Sequence, residues 1–219
     1  MMHKILIIVA HPDDEVLGCG ATIAKHIDNG DMAQVVFLSD GFSSRDDDEN
    51  RNSNAQKASN ILACQQPIFL NYPDNQLDTM PLLDIVKKIE TIVSDFQPNI
   101  IYTHYFGDLN IDHQITHKAV MTACRPQPDF CVKEIYSFEI LSATHWQSSS
   151  VGSAFNPNYF VDASSFMEKK IKALQCYDNE VREYPHARSY KTVDSLAKFR
   201  GSVIGVQDAE AFIVERLIK

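Results

Sequence analysis

The chain has 219 residues, 44% of them hydrophobic and 22% charged, a composition that fits a folded globular protein and excludes a disordered or fibrous one. Its formal net charge of −9, with no block rich in Lys or Arg, argues against a surface built to neutralise nucleic-acid phosphates. Five cysteines (Cys19, Cys64, Cys124, Cys131, Cys176) at irregular spacings, with no C-x-x-C pair, give neither a disulfide framework nor a thiolate zinc site and fit a reducing cytoplasm.

Residues 4–9, Lys-Ile-Leu-Ile-Ile-Val, form a continuous apolar run that predicts a strand buried on both faces, as at the centre of a parallel sheet. The run is too short for a signal-peptide core or a membrane span, and no later segment is long enough to cross a bilayer. A helix is predicted over Glu15–Asn29, where apolar positions recur at Val16, Leu17, Ile23, Ala24 and Ile27 and Gly30 provides the stop. A strand follows over Ala33–Leu38, ending in Ser39-Asp40-Gly41. The run from Arg45 to Arg51, with four carboxylates inside it, reads as a solvated loop, with a calcium-like carboxylate cluster as the alternative.

The alternation then continues with a helix around 52–64, a strand at 68–70, a helix at 80–95 and a strand at 99–103. Next come a helix at 113–124, a strand at 133–141, a loop-rich stretch at 142–158, a short strand at 159–161, and helices at 164–176 and 191–200. Strand-helix-strand repetition predicts an α/β fold, a three-layer α/β/α sandwich around a Rossmann-like, mostly parallel sheet. No linker or repeat interrupts it, so one domain is expected over 1–219, with the sheet core in 1–140 and an elaboration shaping the substrate pocket in 141–219.

The chemistry-bearing segment follows the first strand directly: Ala10-His11-Pro12-Asp13-Asp14-Glu15. Open α/β sheets bind ligands at that carboxyl edge. The turn is acidic, and Gly18 and Gly20 lie inside the predicted helix, so a phosphate-binding loop is not expected there. His11 and Asp14 are spaced to converge on one cation across a Pro-stiffened turn, and zinc accepts such N and O donors. A catalytic zinc needs a further protein ligand, and Gly107-Asp108-Leu109-Asn110-Ile111-Asp112-His113, beyond the strand ending near Thr103, supplies a histidine at the same sheet edge. The competing reading is an acidic turn in which Asp13 or Asp14 caps the following helix.

The pairing of Ala10-His11-Pro12-Asp13-Asp14-Glu15 with Asn110-Ile111-Asp112-His113 resembles the LmbE/PIG-L family of zinc-dependent N-deacetylases. Ser39-Asp40-Gly41, Arg200-Gly201 and Ala209-Glu210-Ala211-Phe212 look like further family signatures, and Tyr184-Pro185-His186-Ala187-Arg188-Ser189 looks like a bacterial branch of it. The resemblance implies one zinc per chain held by His11, Asp14 and His113, with another divalent ion as the alternative, and Asp13 as general base. It implies hydrolysis of the N-acetyl amide of an amino-sugar conjugate such as an N-acetylglucosamine derivative, releasing acetate and a free amine. The alternatives are another small-metabolite amide cut at the same site, or a non-catalytic sugar or nucleotide binder.

Many family members carry a histidine where this chain has Asn110, and an asparagine cannot carry a proton. His104 or His186 is the expected replacement, although His104 also reads as a core histidine. Arg51, Asn110, Asp112 and Arg188 are expected to contact or orient the substrate, with a surface position the competing reading for Arg51. Trp146 and Tyr184 are read as sugar-stacking or as packing residues, Cys19 as a small buried hydrophobe, and His26 and His117 as helix-surface residues. The expected partners are a small-molecule amino-sugar substrate and further copies of the chain; nucleic acid and membrane insertion are not expected.

Overall fold

The computed structural model describes residues 2–41, 51–150 and 154–219. Most of the predicted run Arg45–Arg51 therefore lies outside the described residues. Among the described residues the strands form one seven-stranded sheet: β1 (Lys4–Val9), β2 (Met32–Ser39), β3 (Ile68–Tyr72), β4 (Ile100–His104), β5 (Glu134–Phe138), β6 (Tyr159–Asp162) and β7 (Ala209–Leu217). Their spatial order is β3-β2-β1-β4-β5-β7-β6, with β3 through β5 mutually parallel and β7 antiparallel to both of its neighbours.

The helices are α1 (Asp14–Asp28), α2 (Arg51–Leu62), α3 (Leu82–Phe96), α4 (Ile111–Ala123), α5 (Met167–Leu174) and α6 (Tyr190–Ile204). Successive residues of β1 point to opposite faces, and both faces are covered. Ile5, Ile7 and Val9 pack with Val16, Ile23, Ala58 and Ala173 from α1, α2 and α5. Leu6 and Ile8 pack with Ile85, Ile89, Ala119 and Val120 from α3 and α4. The three-layer α/β/α architecture is thus the expected one. A one-residue slip of β1 would exchange these two sets of side chains, so the register Ile5 to Ile100 on one side and Ile5 to Ala33 on the other is tightly specified.

The chain runs from β1 outward to β3, then returns to place β4 on the other side of β1. That reversal leaves the carboxyl ends of β1 and β4 flanking a crevice, the usual ligand position in such sheets. The sequence reading missed β7, which inserts between β5 and β6 and makes the C-terminal third part of the sheet. Two histidines also need correction. His26 is partly buried between Asp31 and the Tyr102 hydroxyl, and His117 is buried with Nδ1 against the His104 carbonyl. Helical periodicity gives a face to each residue but not what packs on it.

Candidate metal centre

His11, Asp13 and Asp14 stand on the turn from β1 into α1. Asp13 occupies the N-cap position, but its side chain makes no capping bond and its backbone is left-handed (φ 117°). A non-glycine residue there is strained by about 1–3 kcal/mol, which surrounding contacts must offset. Two contacts serve: the Asp13 N–H donates to Glu15 Oε2 at 3.1 Å, and Arg188 Nη1 donates to Asp13 Oδ2 at 3.0 Å. The twisted turn keeps the Asp13 carboxylate off the helix axis while Asp14 starts the helix.

His113 comes from the first turn of α4. Asn110 caps that helix, its side-chain oxygen accepting the Asp112 N–H at 2.8 Å. His11, Asp14 and His113 are all buried, and one ligand atom from each lies within 4.8 Å of the others. His11 Nδ1 is 3.2 Å and His113 Nε2 3.4 Å from Asp14 Oδ2. The same proximity holds for His104, Asp108 and His113, and for His11, Asp74 and Asp112.

Hydrogen bonding distinguishes Asp108 and Asp112 from Asp14. Asp108 uses one oxygen on His113 Nδ1 at 2.8 Å and the other to accept the Thr144 hydroxyl. Asp112 accepts the N–H groups of Asn75 and Leu77 and faces His11 Nε2 at 3.1 Å. Asp14 Oδ1 and His113 Nε2 are buried without a hydrogen-bond partner, as is His104 Nδ1 in the second group. Buried polar atoms without partners are rare and costly, and a carboxylate oxygen and an imidazole nitrogen are the donors that zinc accepts. Asp108 and Asp112 grip the far nitrogens of the two histidines, which fixes which ring atom faces inward. The residues present therefore fit a divalent metal ion.

The electrostatics agree. Burial opposes charge on Asp14, but the imidazoles of His113, His104 and His11 outweigh it and hold its carboxyl well below the usual range. Burial likewise opposes protonation of His11, yet Asp112, Asp14 and Asp74 raise its pKa well above the ordinary histidine value, and Asp14 and Asp108 raise that of His113. Carboxylates that draw protons onto two buried imidazoles would draw a cation in the protons' place. Asp13 differs from them, since burial raises its pKa and Arg188 and Arg51 offset that only in part.

His104 lies behind this group, fully buried and stacked on His113 with ring centroids 3.8 Å apart. Its Nε2 accepts the Ala10 N–H at 2.9 Å, and burial with the neighbouring His113 pushes its pKa down to about 4. His186 is half-buried, with Nδ1 accepting the Arg188 N–H and its ring edge-on to the exposed Trp146. A small cavity of about 40 Å³ is lined by His11, Asp13, Arg51, Asp74, Asn75, Asn110 and Arg188. Arg51 is buried: it donates to the Gly41 carbonyl at 2.6 Å and pairs with Glu180 at 2.9 Å. Tyr184 is exposed over Lys191, and Cys19 is fully buried.

Sequence reasoning did not single out Asp74, Glu180, Tyr177 or Thr144. Asp74 alone carried a signal, because it follows β3 at the same sheet edge. Glu15 also gains a role: its carboxyl accepts the Tyr177 hydroxyl at 2.7 Å, and burial pushes its pKa up to about 8. The folded chain thus keeps a proton that the unfolded chain releases from about 4.5 upward, so stability falls as pH rises from about 4.5 to 8. Glu15→Gln can keep both contacts without that proton, its oxygen accepting the Asp13 N–H and its NH2 donating to the Tyr177 hydroxyl. Metal-free Glu15→Gln is therefore expected to lose less Tm than wild type between pH 5.5 and 8; identical pH slopes in thermal melts would refute this.

The profile of the GlcNAc-PI de-N-acetylase family, PIG-L, matches residues 6–124, more than half of the chain, a span that includes His11, Asp13, Asp14, Asp108, Asp112 and His113. The chain belongs to the PIG-L family. The chain is 36% identical over 129 residues to the uncharacterized deacetylase YaiS of Escherichia coli K12, covering 57% of this chain and 69% of that one. It is 24% identical over 220 residues to the diacetylchitobiose deacetylase of Thermococcus kodakarensis, covering 94% and 81%. The structure of N,N'-diacetylchitobiose deacetylase from Pyrococcus horikoshii superposes with a TM-score of 0.80 at 23% identity, covering 98% and 84%. GalB of Pseudomonas putida, a 4-carboxy-2-hydroxymuconate hydratase, superposes with a TM-score of 0.76 at 22% identity over 100% and 99%. PIG-L is a deacetylase family, while the fold by itself also accommodates hydration chemistry. Among the described residues no helix is long and apolar enough to cross a membrane.

Proposed function

We propose that the protein is a zinc-dependent hydrolase that removes the acetyl group from the amino nitrogen of an N-acetylglucosamine-like sugar or its conjugate. The observation that carries the reading is the pair of buried, partnerless ligand atoms Asp14 Oδ1 and His113 Nε2, with the separate carboxylate of Asp13 on the wall of the cavity that His11 also lines.

His11, Asp14 and His113 would hold the metal, which when bound supplies a Lewis acid that acidifies water and polarises the amide carbonyl. Asp13 takes the proton from the attacking water and returns it to the departing amine. Its raised pKa suits both steps, and Arg188 aims the carboxylate by holding Oδ2. His104 offers no proton from Nε2, which accepts the Ala10 N–H, so its part is to support the His113 ring. His186 keeps Nδ1 on the Arg188 N–H and is the remaining histidine for donation to the substrate. Arg51 and Asn110 line the cavity and meet the substrate's polar groups, and Asp112 orients His11.

The test is incubation of the zinc-loaded protein with a panel of N-acetylglucosamine conjugates, with free amine and acetate as the readouts. Release of both from at least one conjugate is expected; amine release from none overturns the reading. The GalB likeness favours hydration as the second reading, and that would consume water without releasing acetate. Asp108→Asn is expected to weaken zinc affinity by about 10–100-fold by loosening the grip on His113 Nδ1. A competition titration giving unchanged affinity would show that Asp108 does not support a ligand.

A further inference from the structure

Helix α1 is broken at Cys19, whose backbone (φ −148°, ψ 24°) is not helical. Gly18 presses against β5 so closely that a Cβ there would sit 2.3 Å from the Phe138 ring. The break divides α1 into a short first segment carrying Asp14 and Glu15 and a longer second one beginning near Gly20.

A break of this kind disturbs the backbone ladder, and the freed groups need partners in a buried setting. Two charged residues from distant segments reach them. Lys170 of α5 donates from Nζ to the Leu17 carbonyl at 2.9 Å, at the end of the first segment. Glu210 of β7 accepts the Ala21 N–H at 3.1 Å and the Thr22 N–H at 2.7 Å, at the start of the second. The two side chains pair with each other at 2.6 Å, and both are almost fully buried. Gly20 leaves room for this, since a Cβ there would stand 3.3 Å from Lys170 Cγ.

We infer that Lys170 and Glu210 are positioning residues that splice the two parts of α1 and set the angle at which the first presents Asp13 and Asp14 to the cavity. A buried ion pair is weak support for stability by itself, because desolvation offsets attraction. Here each charge also satisfies backbone groups at the break, an arrangement that specifies geometry. It also gives Glu210, in the Ala209–Phe212 tail, a physical task.

The inference rests on the metal reading of Asp14, and two measurements keep them apart. Lys170→Met/Glu210→Gln removes both charges together, so no unpaired charge remains. In the metal-free double variant, amide exchange of the 14–22 segment is expected to accelerate at least tenfold while β1 and β4 keep their protection. Zinc affinity, read by chelator competition, is expected to fall at least tenfold. Unchanged exchange overturns the splice, and a lower Tm with zinc affinity within twofold of wild type overturns the positioning role. If the double variant does not fold, wild-type protein decides: Ala21 and Thr22 amides that exchange as fast as exposed ones overturn the splice, and slow exchange supports it. Zinc uptake by wild type reports on the metal reading alone.

Discussion

Replacing Asp13 by Asn is expected to lower kcat by about 10²–10⁴-fold, the usual contribution of a positioned general base, while leaving zinc content and Tm near their wild-type values. The asparagine carbonyl can still accept the Arg188 hydrogen bond, so the side chain keeps its place, but it cannot take a proton from water. Asparagine also tolerates the left-handed backbone at this position better than most residues do. Stability should hold because burial already disfavours the Asp13 charge, and Arg51 retains Glu180 as a partner. Paired measurement of turnover and metal content separates the outcomes. Undiminished turnover in Asp13→Asn would remove Asp13 from the mechanism, and a lost metal would make it a ligand.

His113→Ala, or chelation of the wild-type protein, is expected to abolish turnover, and added zinc should restore only the chelated wild type. Losing a ligand should cost more than the 10–100-fold attached to a supporting contact. Affinity should also depend on pH with a definite sign. The carboxylates raise the pKa values of His11 and His113 in the metal-free fold, so binding must displace protons and tighten as pH rises. In the metal-free protein the same two groups contribute stability that is fully present below the unfolded histidine pKa and is lost as pH rises through the raised values. Metal-free protein should therefore lose Tm more steeply than zinc-loaded protein as pH rises over that window, because the zinc-held histidines have no proton to release. Parallel trends, or a His113→Ala protein that still takes up one zinc, would contradict the assignment of His113.

The sequence alone determined what depends on neighbours along the chain. The unbroken apolar run of β1 demands cover on both faces, and the alternation of strands and helices demands a parallel sheet with helices on each side. His11 and Asp14 converge because one short turn joins them, and His113 could be placed beside them because both segments leave strands at one edge. Tertiary structure decided what depends on pairing across long separations. β7 became a strand by lying antiparallel between β5 and β6, which its own residues do not announce. Arg188 found Asp13 from 175 positions away, and Lys170 and Glu210 met at a break in α1 next to the close approach of Gly18 to Phe138 of β5. Local preference reads turns, periods and short-range ligand spacing; the hydrogen bonds and charges that orient those ligands come from segments that only folding brings together.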